Sequence, residues 1–164
     1  MTNDRRHYAP RRPGHDYTRA GMYFVTVRTQ HGLPLFGTVE GSSMQRSPAG
    51  EMVAGWWAQL PRKYAALATD AFVVMPNHIH GILVLEQSGA VALPAVMQWF
   101  KAMTTNAYIR GVRDQGWARF PGKLWQRSYH DRVIRSGVER DRIRQYIRAN
   151  PANWHRDAFR NDTH

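Results

Sequence analysis

"MPNHIHGILVL", residues 75–85, opens on a turn and closes on an apolar run. Pro76-Asn77 is a turn pair, because proline presets the backbone angle and asparagine bonds locally to main chain. The stretch before it, "AFVVMP" (71–76), is apolar throughout, and "HIHGILVLE" (78–86) is apolar beyond its histidines. Two such runs across so short a turn predict an antiparallel hairpin. Along a strand the side chains alternate between faces, so His78 and His80 share one face and Ile79 enters the opposite layer. Imidazoles placed this way either converge on a cation or stand as satisfied polar groups at a strand end. With eight histidines in 164 residues one such pair is within reach of chance, so chemistry requires a third ligand and a reactive partner.

Working outward, "MYFVTVRTQ" (22–30) predicts a strand, and residues 35–40 a second one that turns at Gly41-Ser42 into a short return. Ser47-Pro48 opens a helix, with serine as cap and proline in the first turn. Val53, Trp56, Trp57 and Leu60 recur at helical spacing until Pro61, which is expected to disturb it. Residues 94–113 form a second helix with Val96, Trp99, Phe100, Met103 and Ala107 on one side. "GWARFPGK" (116–123) is a loop and residues 124–136 are extended. Ser136-x-x-Glu139 is a capping box, and the helix it starts should stop at Asn150, because the residue before Pro151 avoids helical geometry. This order predicts an α+β fold: a mainly antiparallel sheet with helices on one side. It forms a single domain over residues 17–155, with a basic arm at 1–16 and a tail at 156–164.

The last helix supplies candidates for both missing groups. Tyr146 and Asn150 lie four apart, one turn above the other on one face. Ile143 and Ile147 mark the buried stripe and Tyr146 its border, where a ring packs while its hydroxyl stays reachable. The bland alternatives stand beside this: a border tyrosine that covers the core, and an asparagine that ends a helix. Arg140, Arg144 and Arg148 form a separate ridge.

Charge points to the partner. The net charge is +11, the sequence pI about 10.8, and all but three of the 23 basic residues are arginine. Arginine's planar fork pairs with phosphate and stacks on bases, which suits nucleic acid. Cysteine is absent, which excludes disulfides, thiolate metal sites and a cysteine nucleophile. The first fifteen residues lack the apolar core of a secretion signal, and no apolar run is long enough to span a bilayer, so a cytoplasmic protein is expected.

Four ordered blocks, "DYTRAGMYFVTVRTQHGLPLFG", "FVVMPNHIHGILVL", "LWQRSYHDRVIR" and "RIRQYIRANP", resemble those of single-tyrosine HUH transposases, most nearly the REP-associated tyrosine transposases. The likeness spans about residues 16–154. It implies a ferredoxin-like fold, a divalent metal (Mg²⁺ or Mn²⁺) held by His78, His80 and Asn150, and Tyr146 as nucleophile. The substrate implied is single-stranded DNA with a hairpin, cut through a 5′-phosphotyrosine link, by a monomer or a homodimer. Arg11 and Arg12 in the arm, Lys123, Arg127, and the Arg140, Arg144 and Arg148 ridge are candidate phosphate contacts. Tyr129 is the competing tyrosine, without an amide four residues on. Two other readings remain open: a non-catalytic binder of structured DNA or RNA, and a metal phosphodiesterase that uses water.

Overall fold

The computed structural model describes residues 15–161. In chain order the elements are β1 (Gly21–Arg28), β2 (Gly37–Glu40), β3 (Ser43–Arg46), α1 (Pro48–Lys63), β4 (Leu67–Met75), β5 (His78–Leu85), α2 (Leu93–Gln115), β6 (His130–Ile134) and α3 (Gly137–Ala149). The β4–β5 hairpin turns at Pro76-Asn77 as its sequence predicts, and the main sheet has the order β4-β5-β1-β6 with every neighbour antiparallel. Setting aside the small β2–β3 hairpin, the succession βαββαβ with β5 inserted between β4 and β1 is the ferredoxin-like arrangement.

Strand alternation divides the apolar residues between two faces. Tyr23, Val25 and Val27 of β1 and Ile79, Leu83 and Leu85 of β5 pack beneath Val53, Trp57 and Leu60 of α1 and Val96, Met97 and Phe100 of α2. Phe24, Val73, Ile82, Val84 and Ile134 point the other way, against Ile143 and Ile147 of α3. The expectation of helices on one face therefore holds for α1 and α2 but not for α3. The reason lies in β5, whose run is apolar on both faces; leaving either in water would forfeit about 25 cal/mol for each Å² exposed.

Several boundaries differ from the sequence reading for local reasons. Helix α1 continues through Pro61 to Lys63, since a proline in the last turn removes only one ladder bond, and Tyr64 N closes the end on Leu60 O at 3.0 Å. Strand β4 starts at Leu67, before a register shift between Thr69 and Phe72. Of the stretch read as extended, only β6 joins the sheet; upstream, Trp125 bridges Thr29 and donates Nε1 to Thr104 Oγ1 at 2.8 Å. At the start of α3, Ser136 Oγ accepts from Glu139 N as expected, while the Glu139 carboxylate accepts from Arg135 N, one residue before the cap. The segment read as a tail folds back through residue 161: short 3-10 turns at Trp154–Arg156 and Ala158–Asn161 bury Phe159, whose carbonyl accepts from Asn77 Nδ2 at 2.7 Å. Among the described residues no helix is long and apolar enough to cross a membrane.

Gly81 is the one β5 position where the α1 face lacks room for a side chain. A Cβ there would drive into the Trp57 indole, which stacks on Phe72 at 4.5 Å and meets Phe100 edge-on at 5.7 Å. Gly81→Ala should cost about 1–3 kcal/mol of stability, as overpacking does in a filled core. Thermal denaturation checks this, and an unchanged midpoint would contradict the stacked arrangement.

Candidate active site

His78 and His80 open β5 in the middle of the sheet, on the face that α3 covers. Their ring centroids lie 4.6 Å apart, and the residues are 0% and 2% exposed. Each ring is oriented through its Nδ1. Thr26, opposite His80 in the β1–β5 register, places Oγ1 at 2.7 Å from that nitrogen. Asn77 donates its amide nitrogen to Gly32 O at 3.3 Å and Phe159 O at 2.7 Å, so its Oδ1 is the atom facing His78 Nδ1 at 2.8 Å. An acceptor there calls for a proton on His78 Nδ1. Outer hydrogen bonds of this kind fix the tautomer and aim of metal-binding imidazoles.

Helix α3 brings the phenol to the pair. The Tyr146 ring lies 5.4 Å from the His80 ring and 6.1 Å from Phe24, and the residue is 48% exposed, at the border of the Ile143/Ile147 stripe as its position predicts. One turn on, Asn150 is buried; its Nδ2 donates to Tyr146 O at 3.1 Å, while its Oδ1 is buried with no hydrogen-bond partner. A buried amide oxygen so placed costs free energy unless it meets a cation or a donor. Among the described residues no group of three His, Cys, Asp or Glu is gathered for a metal. Imidazole favours Mn²⁺ over the harder Mg²⁺, and an amide oxygen suits either. Burial raises the Tyr146 pKa, the Asn150 side chain lowers it, and the Asp157 carboxylate raises it again, leaving it above that of an ordinary tyrosine. The phenol is thus protonated near neutrality.

The other candidates are distributed differently. Arg144 is not a free phosphate ligand: its Nε and Nη2 bind both oxygens of Asp70 on β4 at 2.8 and 2.6 Å, tying α3 to the sheet. Arg140 contacts Asp141 at 3.4 Å, and Arg148 is exposed. Lys123 and Arg127 line a cavity of about 360 Å³ with Lys101 and Trp125, on the α2 side of the sheet. Arg11 and Arg12 lie outside the described residues. Tyr129 is buried in the core beneath α1 and α2, on the face away from the histidines.

Sequence reading missed Asn77, Arg28, Trp154, Asp157 and Phe159. Phe159 packs 4.6 Å from the His78 ring, Trp154 lies 6.1 Å from it, and Asp157 Oδ2 is 3.7 Å from His78 Nε2. Arg28 is 5% exposed beneath the Phe159 ring. The period-two alternation from Thr26 to Arg28 was the available signal for one of these; the return of the last residues over the site had none.

Residues 60–150 match the family model described as "Transposase IS200 like". An uncharacterized protein of Haemophilus influenzae is 31% identical, with 87% of each chain covered. Among solved structures, a REP-associated tyrosine transposase bound to a REP hairpin aligns at a TM-score of 0.65 and 19% identity, over 87% of this chain and 73% of that one. A Deinococcus radiodurans R1 protein described as a candidate transposase aligns at 0.52 and 18%, over 83% and 95%.

The Asp70–Arg144 pair yields a pH signature. Its hydrogen bonds to Arg144, helped by the Ala71 amide and opposed by burial, hold the Asp70 carboxyl below its ordinary 3.8. A lowered carboxylate pKa stabilises the fold fully above the unfolded value and loses that contribution as pH falls through the folded one. Asp70→Asn should cost about 1 kcal/mol at neutral pH, the pair being partly exposed. The difference from wild type should shrink between about pH 5 and pH 2. Melting curves across that window check it; a constant gap would show the pair is not the source.

Proposed function

The chain belongs to the IS200-like transposase family, and on that premise we propose that it cleaves and rejoins single-stranded DNA beside a hairpin. Tyr146 is the nucleophile, and His78, His80 and Asn150 hold a divalent metal, Mg²⁺ or Mn²⁺. The observation that carries this reading is the approach of the Tyr146 ring to within 5.4 Å of His80 in a single chain. The REP hairpin bound by the structurally similar transposase supports a hairpin substrate here.

Tyr146 Oη forms a bond to phosphorus while the bond from phosphorus to the 3′ oxygen breaks. The phenol gives up one proton and the departing oxygen takes one up. One phosphodiester replaces another, so the 3′-hydroxyl can reverse the step without ATP. A bound divalent ion supplies polarisation of a non-bridging phosphate oxygen and stabilises the departing oxygen. Asn77 and Thr26 keep the two rings aimed, and the Asp70–Arg144 pair keeps α3 over them. Arg148, Lys123 and Arg127 are exposed cations available to more distant phosphates, where each contact weakens with salt.

Incubation with single-stranded hairpin DNA and Mn²⁺, followed by a denaturing gel, tests the proposal. A covalent protein–DNA band should form with wild type and fall at least about a thousandfold in Tyr146→Phe. Tight hairpin binding without cleavage would favour the non-catalytic binder. Cleavage that leaves no adduct and survives Tyr146→Phe would favour a water-using phosphodiesterase.

A further inference from the structure

Residues 87–130 hold six basic side chains (Lys101, Arg110, Arg113, Arg119, Lys123 and Arg127) and one acidic residue, Asp114, which Arg113 engages at 2.9 Å. Surfaces kept only for solubility mix the two signs, whereas a concave surface of one sign focuses its field on an anion. This stretch comprises α2 and the loop after it, on the sheet face away from the histidines.

Two cavities of about 330 and 360 Å³ lie between α2 and residues 122–129 and share Lys101 and Arg127. Together they form a groove from Pro94 to Asn106, about 18 Å of helix at about 1.5 Å per residue. No carboxylate of the described residues lines either one. The walls are fixed. Lys101 Nζ donates to the Gln126 and Arg127 carbonyls at 2.7 and 3.0 Å, and the Tyr108 hydroxyl donates to the Ala118 carbonyl at 2.6 Å. Trp117 packs so closely on Gly111 that a Cβ there would strike its ring. The loop is thus held against α2 before any ligand arrives, which lowers the ordering cost of binding.

Lys123 and Arg127 stand exposed on this groove, and Gln98 and Asn106 add exposed amide donors. Cavities this narrow admit the backbone of a single strand and not a paired stem. Cations and amides aimed at phosphates hold DNA by its charge and carry no base information.

Resting on the reading of the site given above, we propose that this groove is a second DNA-binding site, which takes the phosphodiester backbone of the unpaired strand flanking the hairpin. Residues 127–129 run directly into β6, the edge strand beside β1. A strand leaving the groove therefore reaches the edge of the sheet, beyond which lies the face that carries His78, His80 and Tyr146. The substrate is gripped on one face while its chemistry proceeds on the other.

Fluorescence anisotropy in EDTA, which separates binding from cleavage, tests the groove over a salt series. The DNAs are a hairpin with an unpaired flank and the same hairpin without it. The double variant Lys123→Ala, Arg127→Ala should bind the flanked hairpin roughly tenfold more weakly than wild type at low salt. Its logarithmic salt slope should fall by about 1.4, since each phosphate of a single strand contributes about 0.7. Binding of the bare hairpin should change about twofold at most. The pair Arg62→Ala, Lys63→Ala removes the same charge from the end of α1, outside the groove, and should alter neither DNA by more than about twofold. Circular dichroism melts verify folding, and Arg127→Ala alone carries the comparison, with half the change in slope, if the double variant does not fold. Equal weakening on both DNAs would assign the groove to the paired stem, and an equal effect of the α1 pair would reduce it to general charge; either result overturns the proposal. A wild type that forms no adduct in Mn²⁺ but shows the flank-dependent loss would overturn the role of Tyr146 and leave the groove standing.

Discussion

The register of β5 against β1 is the constraint on which the rest of the molecule depends. Thr26 faces His80 and Arg28 faces His78, so the polar end of β5 lies on the side that α3 covers. Because side chains alternate strictly, a slip of one residue would thrust both imidazoles among Trp57 and Phe100 and turn Ile79 toward α3. The apolar pattern forbids that slip: Ile79, Leu83 and Leu85 are needed beneath α1 and α2. A requirement of packing thereby fixes the position of two imidazoles that contribute little to packing themselves.

Helix α3 is governed by a different balance. It buries only Ile143 and Ile147, a narrow stripe for thirteen residues, and so depends on polar attachments at its start and middle. Ser136 caps its start, Arg132 pairs with Glu139 at 2.8 Å, and Asp70 grips Arg144 from the far edge of the sheet. These ties direct the half-exposed Tyr146 toward the histidines. An arginine that counts as a DNA contact in the sequence thus positions the helix that carries Tyr146.

Local chemistry made much of this legible beforehand. The Pro-Asn turn, the alternation of β5 and the serine cap each follow from a few neighbouring residues, and the structure has them at those places. The tyrosine's border position followed from the spacing of Ile143 and Ile147. What could not be read depends on contacts between residues far apart in the chain. The helix α3 lies on the opposite face from its two companions because of how Ile82, Val84 and Phe24 are displayed, which becomes apparent only once the strands are paired. The return of Phe159 to Asn77, 82 residues away, leaves no mark in the local pattern. Pro61 was misleading for the opposite reason: its penalty is real in the middle of a helix and small in the last turn.

The His78/His80 pair and Tyr146 meet within one polypeptide. On the proposed chemistry this sets a stoichiometry: one nucleophile per molecule means one 5′ end held at a time. Moving a segment with two ends would then proceed as successive turnovers, each releasing its captive before the next is taken.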